Sequence, residues 1–122
     1  MENKKVLLVD DSAAIARQLQ RIVEETDGFE VVGHAQNGIE GIKLFMSLKP
    51  DVVFMDIVMP EMDGLQAIRS IKNLDKNAKI LVISSAGGVS DKVTEALKFG
   101  AMSVIPKPFD PAKIREILAN IN

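Results

Sequence analysis

The chain of 122 residues contains no cysteine, no tryptophan and no tyrosine. Without cysteine, neither disulfide bonds nor thiolate metal sites are available, and nothing argues for an oxidising compartment. Aromatic residues make up only 4% of the chain, all of them phenylalanine. The sequence therefore argues against a disulfide-stapled secreted domain and against a surface that stacks on bases or flavins.

Long apolar runs and an excess of one charge are missing as well. The longest apolar runs have the length of strands, far below the ~20 residues that a transmembrane helix needs, and no signal-peptide core follows the N-terminal lysines. The net charge is −2, and the basic residues are spread over the predicted helices. We therefore expect a cytoplasmic protein that neither inserts into membranes nor binds nucleic acid directly.

The hydrophobic pattern alternates five times between short solid apolar runs and helical spacing. This alternation predicts crossover connections, and hence an α/β domain with a parallel sheet and helices on both faces. The strands read as solid apolar runs because both of their faces are covered. The length is that of one domain. The predicted strands are residues 5–10, 30–35, 51–56, 79–84 and 102–105.

Each predicted helix has an apolar stripe, and several have clear start signals. Ser12 is expected to cap the first helix, Asn37-Gly38 to turn the chain into the second, and Asp110 to cap the last, with Pro111 as its first residue. The side chains predicted to face the core are Ile15, Leu19, Ile22 and Val23; Ile42, Phe45 and Met46; Leu65, Ile68 and Ile71; Val93, Ala96 and Leu97; and Ile114, Ile117, Leu118 and Ile121.

Polar and charged residues follow four of the predicted strands. Asp10 and Asp11 come at the end of the first, Asp56 ends the third, Ser85 follows the fourth and Lys107 the fifth. Because the carboxyl ends of parallel strands share one edge, we expect these side chains to meet there. Three carboxylates at one edge need a cation, and their oxygens suit Mg²⁺. With a hydroxyl and an ammonium group opposite, the set predicts phosphoryl chemistry with Asp56 as the nucleophile.

Four motifs in this order resemble the receiver domain of two-component response regulators, of the stand-alone, chemotaxis-regulator-like kind. The resemblance covers essentially the whole chain and implies a single receiver domain, residues 1–122. It also implies a flavodoxin-like doubly wound sheet with strand order 2-1-3-4-5 and five helices. The motifs are Val9-Asp10-Asp11-Ser12, the strand ending in Asp56 with Met59-Pro60 and Asp63-Gly64 behind it, Ser85-Ala86, and Lys107-Pro108-Phe109.

The resemblance implies a Mg²⁺ site. Asp11 matches a direct metal ligand of the family, and Asp10 matches the residue that acts mainly through metal-bound water. Asp56 is implied as a further ligand. The backbone carbonyl of Val58 completes the set.

The resemblance also implies a phosphorylation chemistry and its partners. Asp56 would accept phosphate from a phosphohistidine on a sensor histidine kinase or a phosphotransferase. Ser85 would be the switch hydroxyl, and Lys107 would contact the phosphoryl group, with a cis bond to Pro108. An output protein, not identified by the sequence, would bind residues about 90–121.

Three positions depart from the family's usual pattern. Val104 stands where an aromatic switch residue is frequent, so the readout must rely on Ser85 and the backbone after the fourth strand. Val58 and Gly87 occupy the positions that tune the phosphoryl lifetime, and neither side chain positions an attacking water. We expect slow to moderate self-dephosphorylation.

Two alternatives belong to other functional classes. An aspartyl-phosphate phosphohydrolase of the haloacid-dehalogenase type would carry a second acid where Val58 stands. A flavodoxin would carry a Ser/Thr-rich phosphate loop and aromatic residues around the flavin, and neither is present. The single histidine, His34, is interpreted as an ordinary surface or hydrogen-bonded residue rather than a ligand.

Overall fold

The computed structural model describes residues 3–57, 64–84 and 91–121. Strands and helices alternate along the chain. Within these ranges, no helix combines the length and the apolar character that a bilayer span requires. The elements are β1 (Lys4–Val9), α1 (Ala13–Glu24), β2 (Phe29–Ala35), α2 (Gly38–Leu48), β3 (Val52–Asp56), α3 (Gly64–Leu74), β4 (Lys79–Ser84), α4 (Asp91–Lys98), β5 (Ser103–Pro106) and α5 (Pro111–Ala119).

The five strands form one parallel sheet in the order β2-β1-β3-β4-β5. The order of connection reverses between β1 and β3, and in open α/β sheets the crevice outside such a reversal is where ligands bind. The predicted fold class, a flavodoxin-like doubly wound sheet with strand order 2-1-3-4-5, is confirmed.

Apolar side chains cover the sheet on both faces. Leu7 and Val9 of β1 pack into a core with α2, α3 and α4, whereas Val6 and Leu8 pack into a second core with α1 and α5. Every residue of β3 is buried, which explains its solid apolar sequence. Burying one such aliphatic side chain contributes about 1.5–3 kcal/mol. The two cores therefore fix where the strand ends lie.

The predicted helix starts are confirmed. Ser12 Oγ accepts a hydrogen bond from the backbone N–H of Ile15 at 3.3 Å. The side chains of Asn37 and Asp110 each accept a backbone N–H from the first turn of α2 and α5. These caps satisfy donors that the helix itself leaves without partners, so the turns after β1 and β5 have fixed paths.

Two side chains that were predicted to face the core are exposed instead. Met46 is 51% exposed, because α2 packs on the sheet through Gly41 and Phe45, and Met46 is rotated by about 100° from Phe45. Leu97 is 45% exposed, because α4 is short and buries the neighbouring Ala96. Both errors arise from assuming a wider apolar stripe than these helices bury.

The strand boundaries agree with the prediction to within one residue. Only the bounds of β4 match at both ends, since the last ladder pairs depend on neighbouring strands that the pattern of one segment does not contain. Asp10 consequently lies one residue beyond β1 rather than within it. The corrected bounds are Lys4–Val9, Phe29–Ala35, Val52–Asp56 and Ser103–Pro106.

Candidate functional site

Three carboxylates meet at the carboxyl ends of β1 and β3. Each of Asp10, Asp11 and Asp56 offers an oxygen, and these oxygens all lie within 4.8 Å of one another. Asp10 is fully buried, Asp56 is 8% exposed and Asp11 is exposed. The cluster thus opens to solvent on the side of Asp11 and is closed by protein behind Asp10.

Lys107 approaches the same cluster from the end of β5. Its backbone N–H donates to the carbonyl of Ser84 at 2.9 Å, which continues the pairing of β5 with β4. Its Nζ lies 4.0 Å from Oδ2 of Asp56. The Lys107–Pro108 bond is cis, as the resemblance implied. The ammonium group is therefore placed beside the carboxylate at the end of β3.

Asp10 has the most unfavourable surroundings for a charged carboxylate. Its Oδ1 accepts the backbone N–H of Ser12 at 2.8 Å, but the buried Oδ2 has no hydrogen-bond partner among the described residues. Burial raises the pKa of Asp10 above its ordinary value. The Ser12 N–H and the charge of Lys107 lower this pKa, and the charge of Asp11 raises it.

A buried carboxylate oxygen without a partner costs free energy unless a cation reaches it. Oxygens from Asp10, Asp11 and Asp56 form a hard donor set close enough together to bind one ion. Mg²⁺ is commonly bound by one or two protein carboxylates together with waters and phosphate oxygens. The residues of this cluster therefore fit a divalent magnesium ion.

The start of α3 lies directly against the end of β3. The backbone N–H of Gly64 donates to the carbonyl of Ile57 at 2.8 Å. A Cβ atom at Gly64 would overlap the backbone carbonyl of Asp56 and lie 2.7 Å from Cα of Ile57. Only a residue without a side chain allows this approach, so Gly64 fixes the distance between α3 and the Asp56 peptide.

The structure brings together Asp10, Asp11, Asp56 and Lys107, as the strand-end pattern predicts. Ser85 and the Val58 carbonyl, which the sequence also assigns to this site, lie outside the described residues.

Sequence reasoning did not place His34 at this site. The side chain is half-buried, and its Nε2 lies 2.8 Å from the backbone oxygen of Asp10. The expectation of a hydrogen-bonded histidine holds, but its partner is the peptide of a clustered acid. The two residues are 24 positions apart, and only the register of β2 against β1 brings them together.

A family model for the response regulator receiver domain matches residues 6–119. The chain is 45% identical over 119 residues to the chemotaxis protein CheY of Thermotoga maritima, covering 98% of each chain. It is 43% identical to CheY of Listeria monocytogenes, covering 93% of this chain and 94% of that protein.

Solved structures similar to this chain belong to the same family as these relatives. A chain of the CheX-CheY-BeF3-Mg²⁺ complex from Borrelia burgdorferi has a TM-score of 0.88 and 34% identity, covering 99% of this chain and 92% of that one. The response regulator domain of Thermotoga maritima CheB has a TM-score of 0.84 and 33% identity, covering 98% and 94%. Fold, site and relatives agree: the chain belongs to the response regulator receiver domains of two-component signalling and is similar to CheY.

Proposed function

We propose that this protein is a Mg²⁺-dependent, phospho-accepting switch. Asp56 accepts a phosphoryl group from a phosphohistidine on a sensor histidine kinase or a phosphotransferase, and the phosphorylated protein signals by binding an output protein. The observation that carries the proposal is the cluster of Asp10, Asp11 and Asp56 within 4.8 Å, with Lys107 Nζ 4.0 Å from Asp56. The chain acts as one domain and modifies itself rather than turning over a separate substrate.

Asp10, Asp11 and Asp56 would hold the metal. The unpartnered, buried Oδ2 of Asp10 supports this assignment, because a cation compensates its lost hydration. When bound, Mg²⁺ supplies positive charge that stabilises the oxygens of a transferring phosphoryl group. The backbone carbonyl of Val58 is assigned to the same ligand set on the family resemblance alone.

Asp56 carries the covalent step. One of its carboxylate oxygens attacks the phosphorus, and an O–P bond forms as the P–N bond to the donor histidine breaks. The electron pair of the broken bond stays on the imidazole nitrogen. If the other ring nitrogen carries no proton, the departing imidazole takes one up from solvent. The product is an acyl phosphate on Asp56. Because the Asp56 side chain is only 11% exposed, access of water to this bond is restricted.

Lys107 and Ser85 would hold the oxygens of the phosphoryl group. The ammonium of Lys107 already lies beside Asp56, so it requires little movement to compensate the added negative charge. Ser85 is assigned a hydroxyl contact from the family motif. The new contacts would bias the segment of about residues 90–121, which includes α4, β5 and α5, toward a form that binds the output protein.

The relatives support the cation and the mode of signalling. The Borrelia burgdorferi structure contains CheY together with CheX, BeF3 and Mg²⁺. A similar chain thus occurs in a complex with a second protein and with this metal. For the present chain, we infer output by protein contact.

Incubation with acetyl phosphate and Mg²⁺, followed by intact mass spectrometry, tests the proposal. Wild type is expected to gain one phosphate-sized mass. Asp56→Asn is expected to gain none, because an amide is a poor nucleophile. Asp27→Asn, which neutralises an exposed acid in the turn after α1, serves as the charge-matched control and should behave as wild type.

Absence of the mass gain in wild type, or an undiminished gain in Asp56→Asn, would contradict the proposal. Turnover of small phosphomonoesters with release of inorganic phosphate would instead favour the phosphohydrolase alternative.

A further inference from the structure

We propose that His34 is a positioning residue for the cation and phosphoacceptor site, a role that rests on the function proposed above. Its ring Nε2–H donates to the backbone carbonyl of Asp10 at 2.8 Å. Through this bond, His34 fixes the peptide after Asp10 and so holds the carboxylate of Asp10 toward Asp11 and Asp56.

The contact determines which ring nitrogen carries the proton. A carbonyl oxygen only accepts hydrogen bonds, so Nε2 of His34 must be protonated when it lies 2.8 Å from the Asp10 oxygen. In the neutral ring this is the Nε2–H tautomer. The histidine is therefore a donor to the chain and not a metal ligand through Nε2.

Strand β2 holds the peptide groups on both sides of Asp10. The backbone N–H of Asp10 donates to the carbonyl of Ala35 at 2.9 Å, and its carbonyl accepts from the His34 ring. β2 ends at Ala35, so a side chain supplies the second bond. With Oδ1 held by the N–H of Ser12, Oδ2 is the oxygen left for a cation.

A β-bulge places His34 on the required face of the sheet. The register of β2 against β1 shifts between Val6 and Leu7, since Val6 pairs with Val31 but Leu7 pairs with Gly33. Before the bulge, Val31 packs into the core beneath α1.

Side chains alternate between faces along a strand, and one extra residue reverses that alternation. Ala35, beyond the bulge, packs into the opposite core. Its neighbour His34 therefore points to the α1 side, where the turn after β1 begins. In a regular strand continued from Val31, His34 would instead pair with Val9 and point to the α2 side, away from the Asp10 carbonyl.

Residues that orient metal ligands through hydrogen bonds typically change metal affinity by about 10–100-fold when replaced. His34 acts on the backbone of one ligand residue, so we expect an effect near the lower end, about tenfold. Glutamine provides a conservative replacement, since its amide nitrogen is the same number of bonds from Cβ as Nε2 of histidine. Leucine fills a similar volume without a donor.

The experiment combines nitrogen NMR of the wild-type imidazole with Mg²⁺ titration calorimetry of wild type, His34→Gln and His34→Leu. Because His34 is the only histidine, its ring signals are assigned without ambiguity. We expect the Nε2–H form in metal-free wild type. We also expect about tenfold weaker Mg²⁺ binding in His34→Leu and affinity within about threefold of wild type in His34→Gln. Thermal unfolding of both metal-free variants separates loss of positioning from loss of the fold.

An Nδ1–H tautomer in wild type overturns the inference, whether or not the variants fold. Equal Mg²⁺ affinity in wild type and His34→Leu also overturns it while leaving the proposed function intact. If Mg²⁺ affinity falls only in step with thermal stability and His34→Gln does not restore it, His34 has a structural role and the positioning inference is wrong. Wild type that does not bind Mg²⁺ contradicts the proposed function itself, and the inference with it.

Discussion

At the scale of single residues, Asp10 is the acid of the cluster whose surroundings are least favourable for a charged carboxylate. Its carboxylate is fully buried, and one of its oxygens lacks a partner among the described residues. A buried, unsatisfied polar group typically costs about 1–3 kcal/mol. Such a cost is common at functional sites, where residues are selected for a ligand rather than for the stability of the free protein.

Asp10→Asn is therefore expected to stabilise the metal-free protein by about 1–3 kcal/mol. The amide oxygen still accepts the Ser12 N–H, and the amide nitrogen replaces the unpartnered oxygen with a donor near Asp11 and Asp56. Urea unfolding in the presence of a chelator at neutral pH measures the difference, with Asp27→Asn as control. Equal or lower stability of Asp10→Asn would show that the buried carboxylate is satisfied in solution.

The same residue predicts a pH dependence. In the folded protein, burial raises the pKa of Asp10 above the ordinary value of 3.8, which we assign to the unfolded chain. The folded state then binds this proton more tightly, so the contribution of Asp10 to stability falls as pH rises from about 3.8 through the folded pKa.

Asp10→Asn lacks this contribution. The stability difference between the variant and wild type should therefore grow with pH over this window and then become constant. Urea unfolding of both metal-free proteins at several pH values measures it. A difference that does not change with pH would contradict the raised pKa.

The acids and the lysine of the site were predictable because each follows an apolar run, and the ends of parallel strands must meet. His34 was not predictable in the same way. Its contact with Asp10 depends on one extra residue in β2 that reverses which side chains face α1. A pattern of apolar and polar letters in β2 alone does not show where a bulge lies.

At the scale of secondary structure elements, the approach of α3 to β3 sets the position of the Asp56 peptide. The first residue of α3 is Gly64, which is buried and donates to the Ile57 carbonyl. The atoms that a Cβ would meet belong to the backbone of Asp56 and Ile57. Backbone atoms of a fully buried strand cannot move aside as a flexible side chain can.

Gly64→Ala is accordingly expected to destabilise the protein by about 1–3 kcal/mol or more and to slow the gain of phosphate from acetyl phosphate. Gly41→Ala is the matched control. Its Cβ would lie 3.0 Å from Cγ1 and 3.1 Å from Cγ2 of Val9, so that a side chain rather than backbone would have to give by a few tenths of an ångström, and alanine favours the interior of α2 by about 1 kcal/mol. Equal unfolding midpoints for the two variants in urea would contradict the close approach at Gly64.

Helix starts were predicted more accurately than the width of the buried faces. Ser12, Asn37 and Asp110 cap their helices through bonds local to the sequence. The exposure of Met46 depends instead on α2 packing on the sheet through Gly41 and Phe45, a contact between segments far apart in the chain. The hydrogen bonds of a helix cap join residues a few positions apart, so the local sequence indicates them. How deeply a helical side chain is buried depends on distant segments, so the local sequence does not indicate it.

At the scale of the whole molecule, a cation that binds the folded state and not the unfolded state raises the free energy of unfolding. At free Mg²⁺ ten times the dissociation constant, the gain is about 1.4 kcal/mol. A thermal unfolding series with increasing Mg²⁺ should show this rise in wild type and in Asp27→Asn. It should be absent when Asp10 and Asp11 are both replaced by asparagine. An equal rise in all three proteins would indicate nonspecific ion effects rather than a site at the acidic cluster.

The architecture as a whole was the most predictable level. Solid apolar runs alternating with helical stripes leave few arrangements other than a parallel sheet covered on both faces. The strand order came from the family resemblance, since the alternation alone does not specify which strands are neighbours. Register, the bulge in β2 and the exact strand limits required the structure.

The position of β5 at the edge of the sheet limits the free-energy cost of displacing the proposed output segment, residues about 90–121. This strand has four residues and, among the described strands, pairs with β4 alone, while β4 lies between β3 and β5. A shift of β5 disturbs one ladder and the core packing of Val104 and Ile105, whereas a shift of β4 would disturb two ladders. Lys107 therefore directly follows an edge strand of the sheet. Displacement of β5 therefore breaks fewer strand hydrogen bonds than a displacement of β4 would.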